Sequence, residues 1–214
     1  MHIALIGATG QIGQHILSEA LARGHRVTAI VRHPEKLAAN PLLKAVGGNV
    51  YDTAALAAQL KGLDAVISAF NPGWTDSDIA SKQLKGTNSV IAATKQAGVK
   101  RLLVVGGAGS LQVPGGGMDV VDTPDFPAEW KAAAGAVRES LKHLRTEKEL
   151  DWTFLSPAAL IEPGERTGRF RLGADELLVD AKGESRISLP DYAVAMIDEL
   201  EAPQHSRQRF TLAY

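Results

Sequence analysis

Ile3-Ala4-Leu5-Ile6-Gly7-Ala8-Thr9-Gly10-Gln11-Ile12-Gly13 joins an apolar run to three glycines spaced G-x-x-G-x-x-G, and its reading decides the fold. The run Ile3–Ile6 is too short for a helix and lacks polar alternation, as expected of a parallel strand buried on both faces. Gly7 then turns the chain tightly, Gly10 lets backbone N–H groups approach a pyrophosphate, and Gly13 lets the next helix pack close to the strand. That helix is announced by Ile12, Ile16, Leu17 and Leu21, and Arg23-Gly24 supplies its stop. The stretch reads as a dinucleotide-binding opening, with Gly7, Ala8, Thr9, Gly10, Gln11, Ile12 and Gly13 as candidate cofactor contacts.

Outward from this opening, strand and helix patterns alternate. Strands are expected at 3–6, 26–31, 43–46, 64–70, 101–105, 152–155 and 209–213, and helices at 11–22, 53–61, 76–97, 128–148 and 191–201. Asp52 is a candidate cap for the second helix, Gly98 a stop for the third, and Asp191 a cap for the last. This order predicts an α/β fold, a Rossmann-type doubly wound parallel sheet over residues 1–214. Two segments break the rhythm. Residues 106–127 are too rich in glycine and proline for a regular element, which suggests a binding loop. Residues 157–190 read as a small C-terminal insertion with one or two short strands, expected to cover the active-site end of the sheet.

Composition narrows the function classes. The 214 residues are 45% hydrophobic, and 23 basic residues against 24 acidic ones give a net charge of −1. Nothing in that balance suggests nucleic acid or an anionic membrane, and the expected partner is a small-molecule substrate. The chain has no cysteine, so disulfides and thiolate catalysis are excluded. No apolar run approaches the ~20 residues that span a bilayer, so the expected setting is the cytosol, as a monomer or homodimer.

In such a sheet, ligands lie outside the carboxyl ends of the strands. The second strand ends at Arg32, and no acid occurs between Glu19 and Glu35 to bind the adenosine ribose hydroxyls. A guanidinium there can grip a 2′-phosphate, which favours NADPH and leaves NADH open. His33 and Lys36 can assist it. Gly48, Asn49 and Val50 follow the third strand and can lie against the adenine, and Ala69 and Phe70 follow the fourth. Gly106 and Gly107 after the fifth strand imply a flat ring against bare backbone, with Pro157 after the sixth completing the candidate cofactor set. None of Tyr51, Tyr192 and Tyr214 has a lysine four residues later, so the usual activated tyrosine of an alcohol dehydrogenase is missing. The six histidines form no cluster with acids at metal-ligand spacing.

Taken together, Gly7-Ala8-Thr9-Gly10-Gln11-Ile12-Gly13, Val31-Arg32, Leu103–Ser110 and Leu150–Pro157 resemble the atypical short-chain dehydrogenase/reductases, the group that includes biliverdin-IXβ/flavin reductase and bacterial NADH-flavin reductase-like proteins. Pro163–Gly168, Ile187-Ser188 with Asp191–Ala195, and Arg209-Phe210-Thr211 extend the resemblance over the whole chain. It implies NAD(P)H in the crevice and hydride transfer to FMN, another flavin or a different flat acceptor. Where the flavin/biliverdin reductases carry a serine after the fifth strand, this chain has Gly107, and Ser110 is the nearest hydroxyl. Ser110 and Trp130 are therefore the catalytic candidates. Phe70, Trp74, Phe126 and Trp130 are candidate walls of an acceptor pocket, and Arg166, Arg169 or Arg171 candidate ligands of an acceptor phosphate. The alternatives are a non-catalytic NmrA-like NADP(H) sensor and, third, a nucleotide-sugar epimerase or dehydratase.

Overall fold

The computed structural model describes residues 1–73 and 76–214. Six parallel strands, β1 (His2–Ile6), β2 (Arg26–Val31), β3 (Leu43–Gly47), β4 (Ala65–Ser68), β5 (Arg101–Val105) and β6 (Asp151–Ser156), alternate with helices after the pattern read from the sequence. The helices between them are α1 (Gln11–Ala22), α2 (Thr53–Leu60), α3 (Ile79–Gln96) and α4 (Ala128–Thr146). The chain then runs through β7 (Leu160–Glu162), β8 (Arg171–Gly173), β9 (Arg186–Ser188), α5 (Leu189–Glu201) and β10 (Gln208–Ala213). Eight strands form one sheet in the order β3-β2-β1-β4-β5-β6-β10-β8, in which only β8 is antiparallel to its neighbour. The chain builds outward from β1 to β3 and then returns to add β4 on the other side of β1. The switch point of this doubly wound sheet thus lies between β1 and β4.

Alternation along β1 shows why its residues are all apolar. Ile3 and Leu5 enter the core beneath α1 and α5, while Ala4 and Ile6 enter the core beneath α2, α3 and α4. Both faces are covered, so each strand position meets hydrocarbon. The helix ends follow local chemistry. Asp52 caps α2 by accepting from the Ala55 N–H at 3.0 Å, and Gly24 and Gly98 adopt φ of +79° and +75° just past α1 and α3. The last helix departs from expectation: Ser188, not Asp191, is its cap, accepting from the Asp191 N–H at 3.1 Å. The Asp191 carboxylate, itself fully buried, instead accepts from Thr167 Oγ1, Gly168 N–H and the Tyr214 hydroxyl, which lie toward the surface.

The insertion is also anchored to the rest of the fold. β7 and β9 pair with each other, and Ile161 and Ile187 join the core that contains α1 and α5. The turn between β7 and β8 is pinned to α5 by Asp191, and to α1 by a two-toothed bond from Arg166 to Glu19 at 2.8 Å for each tooth. β8 extends the sheet at its edge, and residues beyond it reach the glycine-rich loop: Gln112 N–H donates to Asp175 O at 2.8 Å and Leu177 N–H to Gln112 O at 2.8 Å. Residues 157–190 therefore brace α1, α5 and the loop after β5.

Candidate functional site

The carboxyl ends of the strands bring the glycine fingerprint against the exit of β4. Gly7 has φ +82°, and a Cβ there would lie 2.5 Å from Ala69 O. A Cβ on Gly13 would lie 2.1 Å from Gly7 O, so α1 can start directly against the turn only because residue 13 is bare. Gly10 is the N-cap of α1. Its N–H donates to Gly7 O at 3.0 Å, and a Cβ would meet only Gly7 O, at 3.3 Å. No side chain caps α1 and no acid occupies its first turn. The unpaired amides and positive dipole end of a twelve-residue helix are thus left open to an anion.

This cradle fits a dinucleotide pyrophosphate on geometric grounds: two glycines whose side chains would collide with backbone, and a helix start without a protein acceptor. Ala8 is buried, whereas Thr9, Gly10 and Gln11 are exposed and Ile12 is half-buried. Beside it, Arg32 is exposed at the end of β2 and makes no ion pair among the described residues. His33 is engaged by Glu35 at 3.1 Å.

A model of the NAD(P)H-binding family matches residues 7–201, most of the chain. The chain belongs to this family. Solved structures agree over the full length. A Bacteroides thetaiotaomicron protein described as a candidate epimerase is 47% identical with a TM-score of 0.94, covering 100% of this chain and 96% of that one. A Burkholderia pseudomallei protein described as a candidate exported protein is 48% identical, with a TM-score of 0.90 and full coverage of both chains. A Streptococcus pneumoniae protein described as a candidate NADH-flavin reductase is 38% identical with a TM-score of 0.85, covering 100% of this chain and 99% of that one. The three descriptions differ, and the chemistry of this NAD(P)H-binding protein is set by its own crevice.

On the adenosine side, a Cβ on Gly48 would lie 2.4 Å from Ile30 Cγ2, so this glycine lets β3 leave the sheet closely. The Asn49 side chain accepts from the Tyr51 N–H at 3.1 Å, and Val50 O accepts from the Ser89 hydroxyl at 2.6 Å. These bonds fix the turn against which an adenine can lie. Tyr51 meets Phe70 edge to face with centroids 5.9 Å apart, and the Lys85 ammonium stands 5.6 Å above the Tyr51 ring. Phe70 is packed under α3 against Gly86, where a Cβ would lie 2.2 Å from its Cε1. Its ring is a wall between strands and α3, not an acceptor platform.

On the opposite side, the glycines after β5 are bare for reasons of packing. A Cβ on Gly106 would lie 2.2 Å from the Phe154 ring, one on Gly107 3.2 Å from Val137, and one on Gly109 2.9 Å from Ala134. They let β6 and α4 close in, so a side chain at 107 would press on α4 before reaching a ring in the crevice. Ser110 is 5% exposed, and its hydroxyl donates to Gly107 O at 3.0 Å, while its carbonyl accepts from Arg209 at 3.1 Å. This hydroxyl closes a short turn, and its proton is already committed. Trp130, on the first turn of α4, is 55% exposed, and Phe126 approaches Gly109. Trp74 lies outside the described residues. Pro157 is buried directly after β6.

The arginines do not gather at an acceptor. Arg166 is held by Glu19, eight residues along α1 from the start of the helix, or ~12 Å away at 1.5 Å per residue. Arg171 donates to Val179 O at 2.9 Å and to Tyr214 O at 2.6 Å. All three are exposed, but among the described residues Arg169 alone of them has no side-chain hydrogen bond or ion pair; it lies beside Glu165, Thr167 and Tyr214. The Glu19 carboxyl is drawn down to about 2, first by its hydrogen bond with Arg166, against the opposing effect of burial.

No tyrosine is tuned as an acid. Tyr192 is fully buried, donates to Leu155 O at 2.7 Å, and is pushed upward by burial; burial also raises the Tyr51 hydroxyl. Sequence reasoning missed Gln83 and Lys85 on α3. A polar residue on the inner stripe Gln83, Thr87, Val90, Thr94 was the available signal.

Proposed function

We propose that this protein is a cytosolic, NADPH-preferring reductase of a flat conjugated acceptor such as FMN or a quinone. The observation that carries the reading is the pairing of a bare anion cradle with the hydroxyls of Ser110, Tyr51 and Tyr192, which are committed to a carbonyl or raised by burial. When bound, a reduced nicotinamide would supply the hydride, and the flat acceptor is the oxidant that takes it together with one proton. The α1 amides hold the pyrophosphate, Arg32 grips the 2′-phosphate, and backbone after β4 and β5 forms the floor. Trp130 and Phe126 would wall the acceptor side of the crevice and leave it open to water. Reduction of an isoalloxazine suits such a site, because stacked rings give a short hydride path and the flavin nitrogen takes its proton from water. A ketone would need an acid that Ser110, Tyr51 and Tyr192 do not offer. The description of the Streptococcus relative agrees in reaction class and names NADH; the exposed Arg32 is the reason for assigning NADPH here. NADPH oxidation measured with flavins, quinones and carbonyl compounds tests the proposal. Turnover confined to flat acceptors supports it, and tight NADPH binding without turnover on any of them replaces it with the sensor reading.

A further inference from the structure

We infer that Gln83 is a positioning residue for the cofactor, hydrogen-bonding a hydroxyl of the nicotinamide-side ribose; this deepens the NADPH-binding reading and rests on it. Gln83 is 7% exposed, its Nε2 donates to Thr87 Oγ1 at 3.3 Å, and its Oε1 is buried without a hydrogen-bond partner. A buried amide oxygen left unpaired is costly, and most such groups in proteins have a partner.

The faces of α3 locate it. Ser89 bonds to Val50 O and Thr53, and Lys85 stands over Tyr51, so this side of the helix looks toward α2 and the adenosine end. Asn88 meets His143 at 2.5 Å and Lys95 meets Glu147 at 3.1 Å, so another side looks toward α4. Gln83, Thr87, Val90 and Thr94 fall between them, all buried against the sheet. Along the axis, Gly86 is level with Phe70, just beyond the end of β4. Gln83 is three residues nearer the start of α3, a further ~4.5 Å toward the carboxyl edge of the sheet.

The amide therefore lies past the Tyr51–Phe70 wall, on the β4–β5 half of the crevice. A dinucleotide with its 2′-phosphate at Arg32 and its pyrophosphate at α1 passes its second ribose over this half. A ribose hydroxyl both donates and accepts, so it can satisfy the free end of the amide.

Gln83→Met keeps the length of the side chain and removes its polar atoms. Titration of the wild type and this variant with NADPH and with 2′,5′-ADP, which lacks the second ribose, separates the roles. The expected result is a roughly three- to tenfold loss of NADPH affinity, unchanged 2′,5′-ADP affinity, and a melting temperature that holds or rises because an orphaned polar atom is gone. Equal affinities of wild type and variant for both probes, or equal losses for both, overturn the ribose contact while leaving the binding site standing. A lower melting temperature with unchanged affinities also overturns it and makes Gln83 a structural partner of Thr87. Wild-type protein that binds neither probe overturns the proposed function itself.

Discussion

Gly13→Ala is the most searching perturbation of the crevice, because one methyl group tests the cradle without touching any charge. The added Cβ would lie 2.1 Å from Gly7 O and 2.9 Å from Gly7 C, both backbone atoms that no rotamer change can move. Restoring an ordinary contact of about 3.4 Å requires α1 to withdraw from the β1 turn by on the order of 1 Å, an overpacking strain of about 1–3 kcal/mol. Alanine is the better helix former by about 1 kcal/mol, which offsets part of that strain. The expected loss of stability is therefore small, about 0–2 kcal/mol. Binding is affected differently, since amides that would sit about 2.9 Å from phosphate oxygens move by a third of that distance. Fluorescence titration should show NADPH and NADH weakened together, by roughly tenfold or more, with a melting temperature only slightly lowered. A variant with wild-type affinity for both cofactors would refute the assignment of α1 as the pyrophosphate site.

Arg32→Ala is expected to weaken NADPH roughly ten- to a hundredfold, the worth of a charge-assisted bond, and to leave NADH almost unchanged; paired titrations check this. Ser110→Ala, Tyr51→Phe and Tyr192→Phe should each retain most NADPH-oxidising activity, while Tyr192→Phe lowers unfolding stability by about 0.5–1.5 kcal/mol, because Leu155 O loses one hydrogen bond and keeps that from the Gly106 N–H. Glu19, held at about 2 in the folded protein against 4.5 as its ordinary value, favours the folded state above the ordinary value, and its contribution is lost as pH falls through about 2. With its partner Arg166 largely exposed, that contribution is about 1–2 kcal/mol, so Glu19→Gln should lower the urea midpoint at neutral pH and converge with wild type in strong acid.

The architecture was legible where burial on both faces leaves no choice of residue. Ile3–Ile6, Arg26–Val31 and Arg101–Val105 are all strands at the expected places, and Asp52, Gly24 and Gly98 end helices as read. What failed depended on contacts between distant segments. Nothing local distinguishes Asp191 as a cap from Asp191 as the acceptor for Thr167 and Tyr214, or Arg166 as an anion ligand from Arg166 as the partner of Glu19. The glycines after β5 invited a ring-binding reading, yet their bareness answers to Phe154, Val137 and Ala134 across the core. Gln83 was hidden for the opposite reason, since its significance lies in a partner that the folded chain does not supply.

The most direct test is anaerobic mixing of NADPH with FMN in the presence of catalytic amounts of the protein, following the flavin's visible absorbance. The account predicts bleaching of the flavin in step with NADPH consumption, faster than the uncatalysed reaction and slowed by Gly13→Ala. Flavin that stays oxidised at the uncatalysed rate, with protein shown by titration to be saturated with NADPH, would contradict it.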